Sequence, residues 1–257
     1  MQQQPQQELK LYKDDSKLQR EKGLKYLADS LGDLEKALLD GHELSEFYSY
    51  KEHKPYREKC TRSDKDDSKS DNDEERIFRC LYYCSKNKSP NEKCPKDKCS
   101  YSHKYIVDED CEFIVQDYQV PRDKKVPGVG KIDLVLKNIK DNKLYAVEVK
   151  RDDRDNKENI LRMIAEILTY TTVTPRYHYE DPKKYNEKGP VMIPAIGFFK
   201  DSPQHDDYKD LRKDENENQN LKKIIDSTGL KVFLFTNLGG DESGVHELDI
   251  KMLNPAT

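Results

Sequence analysis

Three polar side chains interrupt two neighbouring apolar segments of this 257-residue chain. Asp133 lies within the apolar segment 130–136, and Glu148 and Lys150 lie within the segment 144–150. Carboxylate oxygens suit Mg²⁺ or Mn²⁺, and a nearby lysine can orient or activate a water molecule and stabilise developing negative charge. These residue types predict metal-dependent cleavage of a phosphodiester bond, with the substrate phosphate completing the metal coordination. The alternative without a catalytic role is a surface ion pair on a solvated sheet face.

The two segments have the pattern of paired β-strands. Asp141-Asn142 between them has good turn chemistry, and a hairpin with these residues at its tip places Asp133 opposite Lys150. Glu148 then lies diagonally across on the same face. A slip of one residue would expose half of the apolar side chains, so the pattern itself favours this arrangement. The opposite face is expected to be wholly apolar, with Ile132, Leu134, Leu136, Tyr145, Val147 and Val149.

Asp133, followed after the turn by Glu148-Val149-Lys150, resembles the motif of the PD-(D/E)XK nuclease superfamily. Ile132 occupies the position of the proline in the name of the family. The resemblance implies that Asp133 and Glu148 are Mg²⁺ or Mn²⁺ ligands and that Lys150 is the catalytic lysine. It also implies an α/β fold, in which a mixed central β-sheet is flanked by helices as in restriction endonucleases.

Residues 157–171 have apolar side chains at helical spacing, which predicts a helix directly after the hairpin. Strand, hairpin and helix follow each other in this order in the core of the family. Glu166-x-x-x-Tyr170 is similar to the Gln-x-x-x-Tyr motif of its RecB-like branch, and Arg162 lies one turn earlier. The resemblance implies that these three residues bind substrate. The alternative is an ordinary surface pair between Arg162 and Glu166.

A fourth acidic residue is usual in the family, on a helix before the first core strand. The segment 73–83 has the apolar spacing of such a helix, and its first turn is acidic. Glu75 is therefore the candidate for a further catalytic residue, with Glu74 beside it and Glu46 as a rival. Acidic residues in a first turn are also ordinary partners of the helix dipole.

Cys84, Cys94, Cys99 and His103 have a spacing that can close a tetrahedral zinc site. The residues between them have too little apolar content to fold without such a site. We therefore expect structural Zn²⁺ in an insertion at about 84–111. Cys80 could replace Cys84 as a ligand, and Cys60 or Cys111 could join the site. The alternatives are free thiols or an iron–sulfur cluster.

The order of these four residues also resembles the CCCH zinc finger, although the first two gaps differ from the usual ones by one residue each. That resemblance implies binding of single-stranded RNA, with Tyr101 and Tyr105 as the side chains that would stack on bases.

Composition and patterning predict one compact domain with additions. Hydrophobic residues make up 34% of the chain and charged residues 37%, so much of it must be solvated. We expect a helical prefix and flexible linker at 1–70 and a nuclease-like domain at 71–257. Besides the hairpin, strands are predicted at 112–120, 191–199 and 230–236, which gives five. The connections 175–190 and 201–220 are predicted to be mobile, and a short helix is predicted at 221–227.

The net charge of −4 gives no support for binding of nucleic acid by the whole chain. Locally, however, residues 122–151 contain nine Lys or Arg against four Asp or Glu, a basic rim that suits a phosphate backbone. We therefore expect nucleic acid as the partner, with DNA preferred to RNA, and a homodimer as an option. The apolar segments are too short to span a membrane, and the polar start lacks a signal pattern, so we expect an intracellular protein.

Two other classes of function fit the same residues. The first is a nucleic-acid-binding protein that keeps the nuclease-like fold and a zinc site but does not cut. The second is a metal-independent interaction protein, in which the acidic residues and the lysine are structural.

Overall fold

The computed structural model describes residues 18, 20–33, 78, 101–103, 113–121, 131–138, 140–150, 159–173, 192–240 and 246–253. In this part of the chain the strands are β1 (Tyr101–His103), β2 (Phe113–Pro121), β3 (Lys131–Asn138), β4 (Leu144–Lys150), β5 (Met192–Phe199), β6 (Lys231–Gly240) and β7 (His246–Leu253). The helices are α1 (Arg20–Asp29), α2 (Ile160–Val173), α3 (Pro203–Lys213) and α4 (Glu215–Thr228).

All of these strands belong to one mixed sheet, with the order β1-β7-β6-β5-β4-β3-β2. Neighbours β2–β3, β3–β4 and β6–β7 are antiparallel, whereas β4–β5, β5–β6 and β1–β7 are parallel. The prediction of an α/β protein with a mixed central sheet is therefore confirmed. The predicted number of strands is too small, because β1 and β7 lie outside the five predicted segments.

Each face of the sheet covers a separate apolar core. Helices α1, α2, α3 and α4 all contribute to the core on one face, which we call the helix face. The opposite face carries Phe113, Tyr145 and Phe233, whose rings contact one another edge to face with centroids 5.2–5.7 Å apart. Phe78, which is helical and fully buried, packs into this second core.

The alternation predicted for the hairpin holds, with one exception. Leu134, Leu136, Tyr145, Val147 and Val149 belong to the core opposite the helices, as predicted. Ile132 instead packs into the core of the helix face with Val135 and Ala146. The recorded pairing of β3 with β4 ends at Leu134, so Ile132 lies beyond the part of the ladder that fixes the alternation.

The connection after β5 is helical, so the prediction of a mobile connection at 201–220 is wrong. Ser202 caps α3 by accepting a hydrogen bond from the His205 N–H at 3.2 Å, and Pro203 lies in its first turn. Asp214 caps α4 in the same way, through the Glu217 N–H at 2.9 Å. Helix α4 therefore begins well before the short helix predicted at 221–227.

Helix α1 packs on the same core as the helices that follow the hairpin. It contacts α2 and α4. The approach to α2 is close, because a Cβ added to Gly23 would lie 2.5 Å from Cδ1 of Leu161. At least this part of the predicted prefix therefore contributes to the main core. The predicted boundary near residue 70 falls outside the described residues and stays a prediction.

We expect Leu27→Ala to lower the free energy of unfolding by about 2–5 kcal/mol, because the side chain is almost fully buried in the helix-face core. Urea unfolding followed by circular dichroism measures the change. Lys25→Ala is the control on the same helix, since the pair between Lys25 and Asp29 is exposed and contributes little to stability. Equal, small effects of the two substitutions would show that α1 is not part of the folded core.

Candidate active site

The hairpin brings Asp133 and Glu148 together, although its register differs from the prediction. Leu134–Val147 is the last pair of the β3–β4 ladder, and continuing its register by one residue places Asp133 across from Glu148. Lys150 follows two residues later on β4. The prediction that Asp133 lies directly opposite Lys150 is therefore wrong by two residues. A shift of two residues does not change the face on which a side chain lies, since strands alternate with a period of two, and Ile132 is the one side chain found on the other face.

The turn explains this difference. The Asn138 N–H donates to the Lys143 carbonyl at 2.9 Å, so the loop is 139–142 and not a two-residue turn. Asn138 also accepts a hydrogen bond from the Lys140 N–H at 2.8 Å through Oδ1, and Asp141 accepts one from the Lys143 N–H at 3.1 Å. Asn142 has a φ of 63°, a left-handed conformation that asparagine tolerates. Side-chain bonds to the backbone thus favour the longer loop.

Asp133, Glu148 and Lys150 form a compact group. Oδ2 of Asp133 accepts a hydrogen bond from the Val149 N–H at 3.0 Å, which fixes one carboxyl group against β4. The Lys150 Nζ lies 2.6 Å from Oε1 of Glu148. Only 8% of Asp133 and 3% of Glu148 are exposed. This is a buried ionic cluster, not the surface ion pair that was the alternative interpretation.

The apolar surroundings come from the neighbouring strand. Glu148 pairs with Ile196 on β5 and Lys150 pairs with Phe198, and both of these apolar residues are buried in the helix-face core. The three polar side chains thus lie on the side of the sheet that is covered by helices, near the ends of β3 and β4 that are remote from the hairpin loop.

Helix α2 adds a third carboxyl group to the cluster. Oε2 of Glu166 lies 3.8 Å from the Lys150 Nζ, and its Oε1 lies 3.1 Å from Nε of Arg162. The Arg162–Glu166 pair therefore exists, but Glu166 is only 6% exposed and also contacts the lysine. Tyr170 is buried in the helix-face core. The contact of these three residues with substrate stays a prediction.

Burial disfavours the charged form of both carboxyl groups of the hairpin, Asp133 and Glu148. Loss of solvent raises the pKa of Glu148 well above its usual value of 4.5, and the nearby charge of Asp133 raises it further. Burial also raises the pKa of Asp133, although Lys150 and the Val149 N–H oppose this change. The pair therefore favours sharing a proton or a cation.

Lys150 is held as a cation. Burial alone would lower the pKa of its ammonium group, but the charges of Glu148 and Asp133 outweigh that effect and raise the pKa above its usual value. A charged lysine is suited to stabilise developing negative charge and to orient a water molecule. It is not suited to remove a proton from that water while these contacts persist.

The residues fit a divalent cation that takes its other ligands from elsewhere. No group of three or more His, Cys, Asp or Glu side chains that could hold a metal by themselves occurs within the described ranges. Asp133 and Glu148 provide two carboxyl groups, and in the described part of the chain no donor reaches the buried Oε2 of Glu148. Mg²⁺ in proteins is commonly held by one or two carboxylates plus water and substrate phosphate.

The register also reveals a residue that the sequence reasoning missed. Asp117 on β2 is fully buried and pairs with Val135, which belongs to the helix-face core. A register shift between Val115 and Asp117 produces this placement, since Val115 packs into the opposite core. Asp117 therefore lies on the same sheet face as Asp133. The sequence signal was an acidic residue inside an otherwise β-rich segment.

Part of the predicted basic rim lies away from the cluster. Lys137 is at the end of β3 next to the loop, and Lys140 and Lys143 belong to the hairpin tip. At the rise of a β-strand, Asp133 lies about 13 Å from Lys137 along β3, and Lys150 lies about 23 Å from Lys143 along β4. The local excess of basic residues over 122–151 therefore does not place these three lysines beside the cluster.

The remaining predicted site residues lie outside the described part of the chain. These are the acidic candidates Glu75, Glu74 and Glu46 and the cysteines of the proposed zinc site, Cys84, Cys94 and Cys99. The fourth zinc candidate, His103, is described only as a backbone position at the end of β1. Their roles stay predictions.

Comparisons with protein-family models, with curated proteins and with solved structures found no match. The chemistry of the cluster must therefore be argued from its own residues. None of the described helices has the length and apolar character needed to cross a membrane.

The raised pKa of Glu148 predicts how stability depends on pH. The folded protein holds this proton more tightly than the unfolded chain, whose Glu has a pKa near 4.5. Without metal, the free energy of unfolding should therefore fall as the pH rises above that value, by at most about 1.4 kcal/mol per pH unit for this proton. Glu148→Gln should flatten this dependence.

Urea unfolding in the presence of a chelator, at a series of pH values, measures this effect. Glu215→Gln is the matched control, because it removes one exposed carboxylate from α4. Wild-type and Glu148→Gln curves that run parallel from about pH 4.5 to about pH 8 would contradict a raised pKa at Glu148.

Proposed function

We propose that this protein is a divalent-metal-dependent nuclease with a core of the PD-(D/E)XK type. The observation that carries the proposal is the convergence of Asp133, Glu148 and Lys150 in one buried cluster on one face of the sheet. Two carboxyl groups with raised pKa values beside a lysine cation form an arrangement suited to a metal and a phosphate. A structural ion pair would require only Lys150 and one carboxylate, whereas this cluster also buries Asp133.

The order of elements supports the nuclease-like core. Strand β2 precedes the β3–β4 hairpin, and α2 follows before β5 joins the sheet parallel to β4. The resemblance in sequence implied this succession of strand, hairpin and helix. The cluster lies where the hairpin, α2 and β5 meet.

The proposed reaction is hydrolysis of a phosphodiester by in-line attack of water. A divalent cation, when bound, would supply stabilisation of charge on the attacking and leaving oxygens. Asp133 and Glu148 would hold that cation, and the Lys150 ammonium would stabilise the negative charge that develops on the phosphate. The bond from water oxygen to phosphorus forms as the ester bond breaks, which leaves a phosphomonoester and a free hydroxyl.

A substrate panel tests this function. Purified protein is incubated with labelled single-stranded DNA, duplex DNA and RNA, in Mg²⁺, in Mn²⁺ and in chelator. We expect cleavage with metal and none in chelator, with DNA cut in preference to RNA. Binding without cleavage under every condition would favour a nucleic-acid-binding protein with a nuclease-like fold. Absence of both would favour the interaction protein.

We also propose a structural zinc site formed by Cys84, Cys94, Cys99 and His103. The support is their spacing and the polar composition of the chain between them. Elemental analysis of protein purified without chelator should find about one zinc ion per chain, and Cys94→Ser with Cys99→Ser should remove it. Protein without zinc, or zinc that persists in the double variant, would contradict this site.

A further inference from the structure

We infer that Glu166 is a positioning residue that receives Lys150 when a divalent cation occupies Glu148. This inference rests on the proposed metal site and assigns Glu166 a role other than contact with substrate. The geometry that points to it is the sharing of one ammonium group by two carboxylates on different elements, Glu148 on β4 and Glu166 on α2.

A cation and Lys150 compete for the same carboxylate. The Lys150 Nζ is 2.6 Å from Oε1 of Glu148, which is a charge-assisted hydrogen bond to one of the proposed metal ligands. A divalent cation on Glu148 withdraws negative charge from that oxygen and repels the ammonium group. Lys150 must then find another anionic partner, because its side chain is only 11% exposed and has little access to solvent.

Glu166 is placed to be that partner. Its Oε2 is 3.8 Å from the Lys150 Nζ, so a movement of about 1 Å converts a long ion pair into a hydrogen bond. Its other oxygen is held by Arg162 at 3.1 Å, which leaves Oε2 directed at the lysine.

The backbone that carries Glu166 is fixed. Its neighbours on α2, Ala165 and Ile167, are fully buried in the helix-face core. A short shift of the flexible lysine side chain is therefore easier than a shift of the helix. The Lys209–Asp206 pair on α3, in contrast, is exposed and lacks this burial.

A double-mutant cycle on metal affinity tests the inference. Mn²⁺ binding is measured by titration calorimetry, without nucleic acid, for the wild type, Glu166→Gln, Lys150→Met and the double variant. With Lys150 present, we expect Glu166→Gln to weaken Mn²⁺ binding by about tenfold, since the displaced lysine loses its second partner. With Lys150→Met, the same change should alter the affinity by less than about twofold.

Two controls accompany the cycle. Glu215→Gln removes one exposed carboxylate from α4 and should leave Mn²⁺ affinity unchanged. Thermal unfolding verifies that each variant is folded, and Lys150→Gln replaces Lys150→Met if the latter fails to fold.

The outcomes separate this inference from the proposed function. An equal loss of affinity in both backgrounds would mean that Glu166 acts only through its charge on the metal, and it would overturn the inference alone. No effect of Glu166→Gln in either background would also overturn it alone. A wild-type protein that binds no Mn²⁺ would overturn both this inference and the proposed metal site.

Discussion

Lys150→Ala should lower the rate of metal-dependent cleavage by about 10²–10³-fold and leave Mn²⁺ binding at least as tight as in the wild type. The lysine supplies positive charge to the reacting phosphate but is not a metal ligand. Its removal also frees Oε1 of Glu148, to which it donates at 2.6 Å. Single-turnover cleavage of labelled nucleic acid and calorimetric titration with Mn²⁺ measure the two quantities separately.

Lys143→Ala is the matched control for this prediction. Lys143 also forms a short ion pair, with Asp141 at 2.7 Å, but the pair is exposed at the hairpin loop. Its removal should leave cleavage within about twofold of the wild-type rate. Similar losses in the two variants would show that general basic charge matters and that Lys150 has no specific role.

Asp133→Asn and Glu148→Gln should each weaken Mn²⁺ binding by at least about 100-fold and abolish measurable cleavage, because each removes an anionic ligand from a site with two. The fold should survive Asp133→Asn, since the amide oxygen can still accept a hydrogen bond from the Val149 N–H. In a thermal unfolding assay, Mn²⁺ should stabilise the wild type and neither variant.

Asp141→Asn is the control for the carboxylate variants. Asp141 is an exposed acidic residue in the loop of the same hairpin, where its oxygen accepts from the Lys143 N–H. The Asp141→Asn variant should bind Mn²⁺ and cleave nucleic acid like the wild type. Mn²⁺ affinity that survives in Asp133→Asn and Glu148→Gln would place any bound metal elsewhere in the protein.

The sequence was sufficient to predict the faces of the hairpin, apart from that of Ile132, but not its register. Alternation along β3 and β4 fixes which side chains share a face, and a two-residue change of register preserves that result. The register itself depends on loop chemistry. Asn138 and Asp141 bind backbone N–H groups of the loop, which competes with the two-residue turn that Asp141-Asn142 suggested.

Where apolar periodicity was weak, the capping residues were the signal from which the start of a helix could have been predicted. Ser202 caps α3, which begins at Pro203, and Asp214 caps α4, which begins at Glu215. Their polar composition concealed these helices, since only one side of each is buried. For α2 the periodicity was strong. The helix begins at Ile160 and not at the predicted residue 157, because Asn159 caps it by accepting a hydrogen bond from the Arg162 N–H at 2.9 Å.

The two strands that were not predicted, β1 and β7, differ in how clearly the sequence indicates them. β7 alternates polar and apolar residues from Glu247 to Met252, a pattern that indicates a half-buried strand. β1 is only three residues long and pairs in parallel with β7, so its existence depends on a partner far away in sequence. No local pattern predicts such a strand.

The most consequential contact of the site was also non-local. The segment 162–170 suggested Arg162 and Glu166 as a pair, but nothing in it indicates that Glu166 reaches Lys150 on β4. That contact depends on how α2 packs across the parallel strands β4 and β5. Burial of the cluster, which sets the pKa values, likewise depends on the whole core.

Crystals soaked in Mn²⁺ and measured for anomalous scattering provide the most direct test of a cation held between Asp133 and Glu148. We predict an anomalous peak within about 2.0–2.3 Å of a carboxylate oxygen from each residue, with Lys150 beside it. No peak at these carboxylates in crystals that otherwise take up Mn²⁺, or a peak only at the cysteine-rich segment, would contradict the proposed metal centre.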